Sequence, residues 1–238
     1  MAYTDIDNPS DYFSATLDTA NGTARTIATG HQSDWVWLKR RDGTAGHRIA
    51  DSVRGANKLL YSDSTTSEQS ASNTITGFVS TGFTLGDDSG GYDVNTSSNT
   101  MVAWSWKAGG SASSNSSGSQ NTTVSVNTTA GFSIVKWTGA DSTGSLGHGL
   151  GAVPKMIIAK RLATRNWTVY HVAMGANKKL FLNTTAAETS IADFDATPTS
   201  SVINVGYTDD ANGSGSDYIG YAVAEKQGYS KFGSYTGN

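Results

Sequence analysis

Val102-Ala103-Trp104-Ser105-Trp106 and Ile219-Gly220-Tyr221-Ala222-Val223 are the two stretches on which the fold turns. In both, a large side chain alternates with Gly, Ala or Ser. Successive side chains of a strand point to opposite faces, so each stretch reads as a strand with one bulky face and one small face. A small face implies that another layer, a second sheet or another subunit, packs very close to it. The bulky residues Trp104 and Trp106, with Trp35 and Trp37 upstream, are assigned to a core. Trp35–Leu38 and Met156–Ile158 are short apolar runs flanked by basic residues, which fits strands buried on both faces. Phe83 and Leu85, like Ile203 and Val205, alternate with polar neighbours and read as strands with one buried face. Gly, Ser, Thr and Asn fill the windows where a helical period would have to show, and only Gly55–Tyr61 has room for a helical turn. Many short strands separated by turn residues predict an all-β chain of the sandwich type.

The chain also repeats itself. Asp34-Trp35-Val36-Trp37-Leu38-Lys39-Arg40 returns as Lys155-Met156-Ile157-Ile158-Ala159-Lys160-Arg161. Gly55-Ala56-Asn57-Lys58 returns as Gly175-Ala176-Asn177-Lys178, 120 positions later. At that offset Leu59-Leu60-Tyr61 falls on Lys179-Leu180-Phe181, and Glu68 on Glu188. A period of this length is a whole small domain. Residues 109–121 are nearly all Gly, Ser, Ala and Asn, too poor in apolar surface to offset their ordering entropy. They divide the chain into a first sandwich repeat, 1–108, a linker or long loop, 109–121, and a second repeat, 122–238. Tyr12-Phe13-Ser14 and Gly131-Phe132-Ser133 open the two repeats, and Gly228-Tyr229-Ser230-Lys231-Phe232 has the same character. An additional C-terminal strand is therefore expected there, as the start of a third repeat in an array running past Asn238.

Composition narrows the function. Charged residues make up 16% of the 238, against about 25% in a typical soluble domain. The difference is uncharged polar residues, which suit turn-rich β-structure. A net charge of −3 supplies no basic field for nucleic acid and no polybasic patch for a membrane surface. With no cysteines, a disulfide scaffold and thiolate metal sites are excluded. Met1-Ala2-Tyr3-Thr4-Asp5 does not begin a secretory signal, and no stretch reaches the ~20 apolar residues that would cross a bilayer as a helix.

Reactive residues do not gather into a motif. His31, His47, His148 and His171 show no close-spaced ligand pair, and no Gly-x-Ser-x-Gly elbow is present. Gly86-Asp87-Asp88-Ser89-Gly90 has its glycines in the wrong frame and reads as a turn. The acidic groups Asp87, Asp88 and Asp93, and Asp209, Asp210 and Asp217, precede the last strand of each copy. Oxygen ligands in a Gly-rich loop are what calcium prefers, yet Asp is also a good turn former, and the spacing differs between copies. The same carboxylates would serve a glycosidase only as a matched pair. Trp137, Trp167 and Tyr170 are the aromatic candidates for sugar or protein contact. No catalytic, cofactor-binding or metal residue is assigned, and the chain is expected not to be an enzyme.

Asp34 to Arg40, Asp51-Ser52-Val53-Arg54-Gly55-Ala56-Asn57-Lys58, Phe83-Thr84-Leu85-Gly86 and Val102 to Lys107 together resemble a repeat of tailed-phage virion proteins, chiefly of marine and cyanobacterial phages. In the second copy Thr128 to Val135, Gly147-His148-Gly149-Leu150-Gly151, Pro154 to Lys160 and Tyr229 to Asn238 carry the likeness. It covers nearly the whole chain except the linker. The resemblance implies jelly-roll or lectin-like sandwiches on the exterior of a phage particle. A tail-fibre or appendage component that contributes to host attachment is expected first, with capsid decoration as the alternative. A calcium-dependent carbohydrate-binding module is a further alternative. The implied partners are other virion proteins, further copies of the chain (a trimer, for a fibre) and a host surface glycan. The second copy departs from the pattern at Val172-Ala173-Met174, where the first has Ser52-Val53-Arg54, so no role of Arg54 carries over.

Overall fold

The computed structural model describes residues 4–237. Its contacts group into two compact units, Asn8–Ser111 and Ala112–Asn238 together with Met1–Asp7. Among the described residues the fold is all-β, and the only helical element is a 3-10 turn at Pro9–Asp11.

The Asn8–Ser111 unit holds β1 (Phe13–Thr19), β2 (Arg25–Ala28), β3 (Trp35–Arg40), β4 (Arg48–Asp51), β5 (Lys58–Leu59), β6 (Gln69–Ser70), β7 (Ile75–Val79), β8 (Gly82–Leu85) and β9 (Thr100–Trp106). An antiparallel sheet in the order β1-β9-β3-β4 faces a three-stranded sheet, β2-β8-β7, with β5-β6 as a separate hairpin. Val36, Leu38, Ala50, Met101 and Ala103 from the first sheet meet Ile27, Ile75, Phe83 and Leu85 from the second in one core. The small face of β9 thus lies beneath a second sheet, and Ala103 leaves room there for the fully buried Phe83.

That geometry corrects the placement of Trp37, Trp104 and Trp106, while Trp35 is buried as expected. Val36 and Leu38 of β3, with Met101 and Ala103 of β9, take the core side. The strand period then turns Trp35, Trp37, Trp104 and Trp106 to the opposite face. There Phe13, Trp35, Trp37 and Trp106 form a separate aromatic cluster, with Trp35 and Trp106 centroids 4.3 Å apart, Phe13 and Trp106 5.0 Å apart and Trp35 and Trp37 5.8 Å apart. Trp35 is buried, while Trp37, Trp104 and Trp106 are half-buried.

The other unit holds β10 (Ser113–Asn115), β11 (Thr122–Asn127), β12 (Phe132–Thr138), β13 (Gly144–Gly147), β14 (Pro154–Arg161), β15 (Trp167–His171), β16 (Leu180–Phe181), β17 (Val202–Val205) and β18 (Asp217–Ala224). Its main sheet runs β10-β11-β12-β18-β14-β15-β16, and β13 pairs with β17 in a second sheet. Val135, Trp137, Ile157, Tyr170 and Ala222 pack on Leu146, Ile203 and Val205 between them. Gly220 supplies the small position here: a Cβ on it would come 3.1 Å from the Trp137 ring.

The strand orders β1-β9-β3-β4 and β12-β18-β14-β15 correspond, as do the pairs β2-β8 and β13-β17. Local details repeat with them. Gly55 and Gly175, then Asn57 and Asn177, are left-handed at φ of 91°, 81°, 62° and 58°, a conformation that Gly and Asn tolerate best. Asn57 N–H donates to Ile75, and Asn177 N–H to Phe194. Lys58 pairs with Glu68 at 3.6 Å and Lys178 with Glu188 at 2.7 Å.

Two further expectations are revised. The Gly/Ser-rich stretch 109–121 is not loop throughout: Ser113–Asn115 forms β10 on the edge of β11. Its backbone groups find ladder partners, which composition alone does not reveal. Gly228–Phe232 is not a strand. Lys226 and Ser230 bridge to each other around a tight turn with Gly228 at φ 77°, and no strand follows β18 among the described residues.

Candidate functional site

The histidines serve the scaffold. Buried His31 places Nδ1 3.0 Å from the Ser10 carbonyl, and burial lowers its pKa. His47 Nδ1 accepts from Trp37 Nε1 at 2.8 Å. His148, fully buried and likewise lowered by burial, accepts the Leu150 N–H on Nδ1 at 3.2 Å. His171 Nδ1 accepts from the Ala173 N–H at 3.2 Å.

The six aspartates do not converge on a shared point. Asp88 is turned inward, and its carboxylate accepts the N–H groups of Tyr92, Val94 and Asn95 and the Thr96 hydroxyl. It folds the loop before β9 around itself. Asp87 accepts only from the Ser89 N–H two residues on. Asp93 pairs with Arg40 at 3.2 Å and Asp217 with Lys136 at 3.6 Å. Asp209 pairs with Arg161 at 3.6 Å and also with Arg165. Asp210 pairs with Lys179 at 2.7 Å. Among the described residues no group of three acidic, His or Cys side chains is placed to hold a metal ion.

Trp137, Trp167 and Tyr170 are buried, at 4%, 0% and 1% exposure. Trp137 lies on Tyr218 with centroids 5.3 Å apart and donates its Nε1–H to the Ala211 carbonyl at 3.0 Å. Tyr170 meets Phe194 edge-on at 5.8 Å. None of the three offers a surface for a ligand.

The structure instead exposes an aromatic that the sequence reading passed over. Tyr207 follows β17 and is 63% exposed. With Asp141, Thr208 and Asp209 it lines an open polar cavity of about 260 Å³. Asp141 is left-handed at φ 59°, and its N–H donates to the Asn212 carbonyl, which ties the loop after β12 to the loop before β18. Gly213 N–H donates to the Tyr218 hydroxyl, which in turn donates to the Asp209 carbonyl at 2.8 Å. The lining loops are therefore held from below. At the repeat offset Tyr207 and Thr208 replace Asp87 and Asp88 of the first copy. An aromatic in a turn with no apolar neighbours was the available signal. A phenol ring beside carboxylates and a guanidinium can pack on a sugar ring and accept from its hydroxyls. A larger concavity of about 530 Å³ is lined by the single turn Glu225–Lys231. There Lys231 holds the Glu225 carboxyl below its usual pKa.

Against known proteins, the model of a domain of unknown function, DUF7483, matches residues 8–238. The chain belongs to that family. No curated protein and no solved structure matches it.

Proposed function

We propose that this member of the DUF7483 family is a non-enzymatic structural protein on the exterior of a tailed-phage particle, a tail-fibre or appendage component. The observation that carries the reading is how the polar side chains are used. The histidines and buried carboxylates of both units bind backbone or partner side chains of their own scaffold, and among the described residues no reactive set converges in a cleft. A duplicated β-unit built in this way serves display. Its sequence likeness to virion repeats supplies the setting, with other virion proteins and further copies of the chain as partners. Capsid decoration is the alternative within the same class. Quantitative mass spectrometry of purified particles, with antibody labelling in electron micrographs, separates the outcomes. Tail labelling at low copy number supports the proposal. Copy numbers matching the capsid lattice overturn it for decoration, and absence from the particle overturns both.

A second reading concerns host attachment. The exposed Tyr207 ring, with Asp141, Thr208 and Asp209 around a 260 Å³ cavity, favours contact with a surface glycan. The ion pairs of Asp93, Asp209, Asp210 and Asp217 and the N–H donors to Asp88 favour a calcium-independent contact.

A further inference from the structure

The two main sheets end differently on equivalent strands. β12 is covered on its far side by β11, in register from Thr122 opposite Trp137 to Asn127 opposite Phe132. Its equivalent, β1, has only β9 beside it and forms the edge of its sheet. The exposure follows: Ile134 in β12 is fully buried, whereas Ala15 at the matching place in β1 is exposed and Leu17 is 63% exposed.

The hydrogen-bond phase of β1 shows which groups stand free. Lys107 N–H donates to the Tyr12 carbonyl and Ala20 N–H to the Asn99 carbonyl, at the two ends of the β1–β9 pairing. Bonded and non-bonded pairs alternate in an antiparallel ladder. Ser14, Thr16 and Asp18 therefore bond to β9, and Phe13, Ala15, Leu17 and Thr19 direct their N–H and C=O groups away from it; of these the Thr19 carbonyl already accepts from the Arg25 guanidinium at 3.2 Å, so Phe13, Ala15 and Leu17 form the open part of the edge. An open strand edge of this kind is a template for another strand.

Natural edges are blunted by Lys, Pro, a bulge or an inward charge. Phe13-Ser14-Ala15-Thr16-Leu17-Asp18-Thr19 has no Lys and no Pro, and its pairing with β9 runs without a register shift. Its one charge, Asp18, is neutralised by a two-point contact with Arg25. The strand is also compatible with itself. Paired antiparallel about Thr16, Ala15 lies opposite Leu17, Phe13 opposite Thr19, and Asp18 opposite Ser14. All four outward residues then find outward mates, Leu17 loses its exposure, and no like charges meet.

We propose that β1 is a self-association edge: two copies of the chain pair β1 to β1 across a two-fold axis and join their four-stranded sheets into one. The inference rests on strand geometry and stands independently of the phage assignment. It is tested on the full chain by sedimentation velocity over a concentration series, with hydrogen exchange read at the β1 amides. The expected result is a monomer–dimer equilibrium with slowed exchange at Ala15 and Leu17 as concentration rises. Ala15→Pro removes an outward N–H without touching the β9 ladder, and Leu17→Lys places a charge on the edge. Each should shift the equilibrium to monomer, with the far-UV circular dichroism of the parent. Ile191→Lys, a charge at another exposed apolar position (45% exposed), should leave the dimer intact. A parent chain that stays monomeric at every concentration overturns the proposal. So does a trimer, or a dimer that survives folded Leu17→Lys; that exposed site keeps the test open should Ala15→Pro not fold.

Discussion

Arg54 is the residue whose loss should cost most for its size. Its side chain is 1% exposed, against Asp51 at 0%, with Nε 2.5 Å from the Asp51 carboxylate. It also donates to Glu68 at 3.3 Å and to the Ile49 carbonyl at 3.3 Å. Removing one partner of a buried pair leaves an uncompensated charge, which costs about 3–5 kcal/mol. Arg54→Ala should lower the urea-unfolding free energy by about that much. Lys58→Ala, which removes the exposed partner of Glu68, should cost under about 1 kcal/mol in the same measurement. Asp51-Ser52-Val53-Arg54 and Glu68 both stood out in the sequence as parts of the repeat, but not their pairing, since fourteen residues of chain and a hairpin bring Glu68 back to Arg54. In the second copy Met174 replaces Arg54. There Lys179 is buried between Asp193 at 2.8 Å and Asp210 at 2.7 Å. At the repeat offset Lys179 stands where the first copy has the core residue Leu59, so the buried ion cluster of the second copy sits at a different position from the Arg54 pair.

The hairpin β3–β4 and its counterpart β14–β15 share one device. Lys39 Nζ donates to the carbonyls of Arg40 and Gly43, and Lys160 Nζ to those of Arg161 and Ala163. In each, a lysine clamps the turn that follows its own strand. The sequence displayed the basic residues at the strand ends, yet not this use of them, because the acceptors are main-chain groups placed by turn geometry. Lys160 is fully buried, and desolvation lowers its pKa from 10.5 to about 8. Between those values the unfolded chain holds a proton that the folded chain has released, so stability rises with pH across the window. Below about 8 the lysine is charged in both states and the gain is absent. Urea titrations from pH 8 to 10 should show this rise, and Lys160→Met should flatten it. An unchanged slope in that variant would remove Lys160 as the cause.

At the scale of the molecule, the all-β fold was legible because alternation is local, and the internal repeat is a property of the sequence itself, where Gly55-Ala56-Asn57-Lys58 recurs unaltered at 175–178. Which face is core was not. Trp104 and Trp106 are the largest side chains of β9, but the core space beside Ala103 is already taken by Phe83 on another sheet. Tyr207 escaped notice for a related reason: its exposure depends on loops brought together from after β12 and before β18. If this cavity contacts a glycan, Tyr207→Ala should weaken binding to host polysaccharide by about 2 kcal/mol, roughly 30-fold. EDTA should leave the binding unchanged, because Asp209 is already held by arginines and Asp210 by Lys179. Titration calorimetry reads both. The order of strands has one more consequence. β9 and β18 come last in their units but lie at the middle of their sheets, between β1 and β3 and between β12 and β14. During translation neither sheet can close until its final segment leaves the ribosome. A nascent chain stalled before residue 100, or again before 217, would carry two unmated ladders at once, and is there most vulnerable to sticking to its neighbours.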